Sequence, residues 1–431
     1  MILSAGMQRT LSAALALSYA SFLVIVYVGF VAPVFAYMGF SAENIDLSKC
    51  VEAFVLILIL SLTVAHRFEK PSDFLVFCLF FLTVLPVLLL MGLMDKSRVV
   101  AITIVLAYLL VWAINRLPAI RLPVLIGGRR MFWVLSVSMT VLTVAWVFVS
   151  GAASGFSLDL ATIYDSRGSQ GDKLQVGVLA YLNQWVFKSI NPLLVVFAAV
   201  SRRWLILVGL LALQVFFFGV TAHKSIAAIA LLVLGTYTLL QRDMKPYQLI
   251  AMAATSVTGV YAMALAYGLI APASYLVRRA VFVPADLHYA YFEFFGQAGH
   301  VRWSSSILSS FVHYPFDYPT PNTMSVYLYG HAEAAANAGF LAAGFMHFGY
   351  LGVGLFALIM GILLRVIDGL ALRTGMPLAV AAVLPGYLWA ITSSDLTTSL
   401  LTHGLLFSLF LLWLLSSEIS SATVTADERS S

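Results

Sequence analysis

Apolar residues in this chain come in unbroken blocks rather than alternating with polar ones. Twelve blocks stand out, at 11–36, 51–65, 73–93, 98–115, 131–150, 178–200, 204–220, 225–240, 248–270, 340–364, 375–392 and 400–415. A helix needs about 20 mostly apolar residues to cross a bilayer. Each block therefore reads as a membrane-crossing helix, the second one short enough to borrow from its flanks. Closed β-barrels are excluded, because their strands read as alternating segments of about ten residues. The expected fold class is an all-α polytopic integral membrane protein with about 12 transmembrane helices. It forms one membrane domain over 1–431, with no internal repeat.

Composition sharpens this. The 431 residues are 61% hydrophobic and 10% charged, against about 25% charged in a soluble domain. Soluble enzymes, disordered chains and nucleic-acid binders are excluded, and the net charge of +5 is no sign of a nucleic-acid partner. Where the positive charges sit matters more than their sum. With the N-terminus inside and twelve crossings, fourteen of the 24 Lys and Arg fall inside, nine fall outside, and Lys188 lies within a span. Both termini are expected on the cytoplasmic side, with a polar tail at 416–431. The loops at 151–177 and 271–339 are expected outside. The longer loop, between spans 9 and 10, is rich in aromatics and holds four of the eight His. Such a loop is expected to fold back onto the membrane face as short interfacial helices. Cys50 and Cys78 provide neither a disulfide framework nor a metal cluster.

No nucleotide-binding loop, Asp-x-Asp pair or H-E-x-x-H motif is present. An enzyme built this way needs no metal or cofactor from the sequence and must receive its energy stored in the substrate. Arg278 and Arg279 are adjacent at the outer end of the ninth span. They can hold an anionic headgroup bidentately or anchor the interface. Adjacent positions do not share a helix face, so one is expected to be functional and the other structural. Lys224, in the hairpin before the eighth span, can meet a phosphate or cap the carbonyls of the preceding helix. Lys188, Asn183, Gln184 and Asn191 interrupt the sixth span; interhelical hydrogen bonding is the expected role of the amides. Asp286, His288 and Glu293 are candidate general bases toward a sugar hydroxyl, though each is also an ordinary loop residue type. Tyr291, Asn337, Arg302 and Arg167 are the candidate substrate contacts. Asp395 reads as a helix cap.

Three segments carry a family resemblance. They are GVTAHKSIAAIALLVLGTY from Gly219, YLVRRAVFVPADLHYAYFEFF from Tyr275, and ANAGFLAAGFMHFGYLG from Ala336, the last with a Gly-Tyr-x-Gly turn of helix. In order and spacing the chain resembles the O-antigen polymerases of the Wzy type, most nearly the pseudomonad members. The family commonly has Gly before the basic residue of the first segment, where this chain has His223.

The resemblance implies an inner-membrane glycosyltransferase related to the GT-C enzymes, with its site at the periplasmic face. The implied substrate is an undecaprenyl-diphosphate-linked oligosaccharide, and the growing glycan is moved onto a new lipid-linked repeat in lipopolysaccharide O-antigen biosynthesis. The implied partners are a chain-length-determining co-polymerase, a flippase, a ligase and membrane lipids. Lys224, Arg278 and Arg279 would then bind diphosphate, Asn337 would contact substrate, and Glu293 or Asp286 would be the base. Two rivals share the hydropathy: an O-antigen ligase, and a transporter or flippase. A transporter would more often show paired repeats and helices broken at the midplane.

Overall fold

The computed structural model describes residues 4–158, 174, 177–305, 308 and 310–417, and among them there is no strand. Fourteen helices organise the description. They are α1 (Ala5–Val34), α2 (Leu47–Ser61), α3 (Pro71–Leu93), α4 (Arg98–Ile114), α5 (Gly128–Val149), α6 (177–200), α7 (Trp204–Thr221), α8 (Lys224–Gln241), α9 (Pro246–Tyr267), α10 (270–298), α11 (Thr320–Tyr329), α12 (Phe340–Thr374), α13 (Met376–Thr392) and α14 (Leu396–Leu415). Every apolar block of the sequence falls on a helix. Among the described residues, eight helices are long and apolar enough to cross a membrane: α1, α3, α5, α7, α8, α9, α12 and α14. The chain is thus an all-helical, polytopic membrane protein. The count falls short of twelve partly because α4 and α13 are shorter. In addition, α2 carries Lys49 and Glu52 near its start, and α6 carries Lys188 and three amides. The loop around Arg167 and most of the C-terminal tail lie outside the described residues.

Local chemistry sets the helix ends. Asp46 starts α2 by accepting from the backbone N–H groups of Ser48 (2.8 Å) and Lys49 (3.1 Å). Asp73 Oδ2 starts α3 by accepting from the N–H groups of Glu69 and Lys70. Gly349 has a left-handed φ of +63°, and with Phe348 it breaks α12. The Gly-Tyr-x-Gly segment, expected as a turn of helix, is therefore the point where the helix is interrupted. Gly344 and Gly352 make the fold-back possible. A Cβ on Gly352 would lie within bonding distance of the Gly344 carbonyl.

One pattern recurs four times. Tyr27–Val31, Phe80–Val84, Val186–Ile190 and Ser274–Phe282 are π turns, and each ends two residues before a proline: Pro33, Pro86, Pro192 and Pro284. Proline has no N–H, and its ring crowds the carbonyl four residues back. Widening the helix ahead of the ring relieves that crowding without ending the helix.

Contacts group the chain into two compact units. The first comprises 1–118, 244–365 and 388–397, and the second 119–243, 366–387 and 398–431. The centre of the first unit is α3, which is apolar on all sides and 94% buried over its apolar window. Helices α2, α4 and α10 pack on it, and α1 packs on α9. In place of short interfacial helices, the start of the presumed outer loop is the long helix α10. Tyr289 fastens α10 to α3 by donating to the Val87 carbonyl at 2.8 Å.

In the second unit α6, α7 and α8 pack together, with α14 against α5. The amides of α6 act as interhelical links. Asn191 Nδ2 donates to Gln214 Oε1. Gln214 Nε2 in turn donates to the carbonyls of Phe187 (3.1 Å) and Ile226 (2.6 Å). Lys188 Nζ lies 2.9 Å from His403 Nδ1.

Candidate functional site

The π turn Ser274–Phe282 points its two arginines differently, as adjacency requires. Arg278 is 8% exposed, whereas Arg279 is exposed. The Arg278 guanidinium lies over the face of Phe35, 4.4 Å from its centroid. Its Nε donates to Ser274 Oγ at 3.1 Å, and one terminal nitrogen donates to Met38 Sδ at 3.3 Å. Tyr37, Tyr329 and Tyr275 stand close enough to act on its charge. Burial, reinforced by the charge of Arg279, holds Arg278 below the ordinary guanidinium value. Arg279 rides over the Tyr275 ring. Neither arginine has a carboxylate partner among the described residues. A guanidinium has five donors, and Arg278 uses few of them. A buried cation without a counter-ion is costly, so an anion arriving here gains more than it would at an ordinary surface arginine.

Asp286 lies two turns further along α10. Its Oδ1 is 2.9 Å from Lys96 Nζ, in the turn between α3 and α4. Burial and then the charge of Asp286 push the Tyr329 phenol up, while Arg278 draws it down. Arg278, Asp286, Lys96 and Tyr329 therefore belong to one electrostatic neighbourhood. Lys96 was missed in the sequence. It has no motif, and its partner is 190 positions away.

Glu293 is exposed. Burial and a contact with its carboxylate push the Tyr327 phenol up. At about 1.5 Å of rise per residue, Asp286 is about 12 Å along the helix axis from Arg278 and Glu293 about 22 Å. Asp286 is the carboxylate that can share a substrate with Arg278. His288 is fully buried. Its Nδ1 donates to the Pro284 carbonyl at 2.7 Å, and its Nε2 has no partner. Burial pushes it down to about 4, so it is neutral and out of reach of a solvated sugar. Tyr291 is likewise interior, and its hydroxyl donates to the Ala336 carbonyl at 2.9 Å. The sequence offered both as site residues, but their surroundings make them architectural.

Asn337 is half-buried and its side chain makes no hydrogen bond among the described residues. Arg302 is exposed and has a left-handed φ of +53°, followed by Trp303 at +61°. Two successive non-glycine residues in this region are strained, by about 1–2 kcal/mol each. A tether holds them. Trp303 N donates to His347 Nδ1 at 3.0 Å, and His347 Nε2 donates to Asp395 Oδ2 at 3.0 Å. Asp395 also accepts from Thr397 N and Oγ1, as a helix cap does. Both ring nitrogens of His347 are occupied, so this His–Asp pair positions the Arg302 turn and is no free base. Lys224 opens α8 in the second unit, after the left-handed Ala222. Arg167 lies outside the described residues.

Among the described residues, no group of three or more His, Cys, Asp or Glu is placed to hold a metal ion. The arrangement suits binding an anion against aromatic walls, next to an ion-paired carboxylate. No family model, curated protein or solved structure matches the chain.

Proposed function

We propose that this protein is a membrane glycosyltransferase that extends a lipid-linked glycan, acting as an O-antigen polymerase of the Wzy type. The observation that carries this is Arg278, buried, unpaired with any carboxylate and walled by Phe35 and tyrosines. The sequence resemblance lies in the same segment. In the proposed reaction, a hydroxyl of the incoming lipid-linked repeat attacks the anomeric carbon of the growing glycan. The new C–O bond forms as the bond to the diphosphate oxygen breaks. The electron pair leaves with the undecaprenyl diphosphate, whose developing charge Arg278 and Arg279 stabilise. The hydroxyl proton passes to Asp286, which Lys96 keeps ionised until the transfer. Under this reading the site faces the periplasm, the termini are cytoplasmic, and a chain-length regulator works beside the enzyme.

The test is the lipopolysaccharide ladder of a strain lacking the gene. The expected result is core carrying one repeat and no longer bands, restored by the wild-type gene and not by Arg278→Ala. Bare core with polymer still on the lipid carrier would instead mean a ligase. An unchanged ladder would end the O-antigen reading.

A further inference from the structure

At the opposite helix ends of the first unit lies a second basic feature. The start of α1, the end of α2, the start of α3 and the end of α4 surround a cavity of about 560 Å³. Alternating helices bring these four ends to one face, the level at which spans enter and leave the bilayer. Arg9, Arg67, Lys70 and Arg116 line the cavity with His66, against Glu69 and Asp73. The cations outnumber the carboxylates two to one. Asp73 is further taken up by capping α3.

The walls are held from behind. Lys70 Nζ donates to the Asn115 carbonyl at 2.6 Å. The buried Arg365 donates to Asn115 Oδ1 and to the carbonyl of Leu117. Trp112 Nε1 donates to the Thr63 carbonyl at 3.1 Å, which fixes the indole. The Arg116 guanidinium then lies flat on that indole, 4.6 Å from its centroid. Neither Arg9 nor Arg116 has a hydrogen bond or ion pair from its side chain among the described residues, and His66 has none either. Leu62 on the rim is largely exposed, as suits contact with an acyl chain.

We propose that this cavity binds a phosphate group of the kind carried by an acidic phospholipid headgroup. Arg9 and Arg116 supply the charge-assisted hydrogen bonds, and Trp112 orients Arg116 for a bidentate grip. The site is separate from the Arg278 neighbourhood, and its test does not depend on the glycan reading.

The experiment is thermal unfolding of the purified full chain in detergent, with added phosphatidylglycerol, phosphatidylcholine or inorganic phosphate. Phosphatidylglycerol should stabilise the wild type and phosphatidylcholine should not. In Arg9→Gln/Arg116→Gln the phosphatidylglycerol midpoint should move about tenfold or more to higher concentration, as loss of charge-assisted bonds predicts. Arg9→Lys/Arg116→Lys should recover part of the response. Both residues are exposed, so the lipid-free melting temperature should match the wild type. Stabilisation by inorganic phosphate alone, lost in the Gln variant, would assign the site to a free phosphate anion. An equal response to phosphatidylcholine, or an unshifted midpoint in the Gln variant, would overturn the proposal.

Discussion

Arg278 in the first unit and Lys188 in the second ride on the same backbone device, a π turn that ends two residues before a proline. Both are buried cations. Their surroundings differ. Lys188 meets His403 Nδ1 at 2.9 Å among apolar helices, where neighbouring amides bind helix to helix. Arg278 touches a hydroxyl, a thioether and an aromatic face, none of which balances its charge. The proline supplies the local geometry in both cases. Whether the turn becomes a tie or a binding site depends on what the rest of the unit brings against it.

The largest effect should separate these two cations directly. Arg278→Ala should lower polymerisation by about 100-fold or more, as loss of a preorganised donor does, while the protein still inserts in the membrane. Arg278→Lys should recover only part, because an ammonium lacks the planar fork. Lys188→Met should keep polymer synthesis within a few-fold, since apolar replacement of a buried charge is often neutral. Ladder intensity per unit of membrane-extracted protein measures all three. A Lys188→Met loss as large as that of Arg278→Ala would break the comparison.

A smaller effect should follow from the prolines. Pro284→Ala removes the reason for the π turn under Arg278 and should slow polymerisation about tenfold, because small misplacements of a catalytic group are costly. Pro192→Ala should change melting temperature more than activity. Equal activity losses in the two variants would show that the device matters in both units alike.

The smallest effect concerns pH. His288 is buried and neutral, pushed down to about 4 from an ordinary value near 6.5. The unfolded chain takes up a proton below about 6.5, and the folded one does not until about 4. Stability should therefore fall as pH drops through that window, by up to about 1.4 kcal/mol per pH unit for one group. Melting temperatures between pH 7 and pH 5 should fall less steeply in His288→Leu than in the wild type. Parallel slopes would remove His288 from this account.

Helix content was legible from the sequence because an apolar block in a bilayer has almost no alternative to a helix. The divergence of Arg278 and Arg279 was legible too, since neighbours on a helix point apart. Local reading could not tell that α10 is a long packed helix, because its aromatics fit a membrane interface as well as a core. Nor could it pair Lys96 with Asp286 or bring Phe35 and Met38 to Arg278, 240 positions away. Those contacts arise from tertiary packing, which periodicity does not record. The same limit explains His288 and Tyr291. Their residue types suit chemistry, and only burial shows that they hold the fold.

The π turn at Ser274–Phe282 also has an angular meaning. Each residue of an α-helix advances the chain by about 100°, so a π turn acts as a phase shift for everything beyond it. Losing one residue there would leave the length and hydropathy of α10 almost unchanged but rotate Val283–Ala298 by roughly that angle. Asp286 would swing away from Lys96, and Tyr289 away from the Val87 carbonyl. The alignment of the two halves of α10 is thus a matter of counting residues, and for single deletions in this stretch register is a stricter constraint than hydrophobicity.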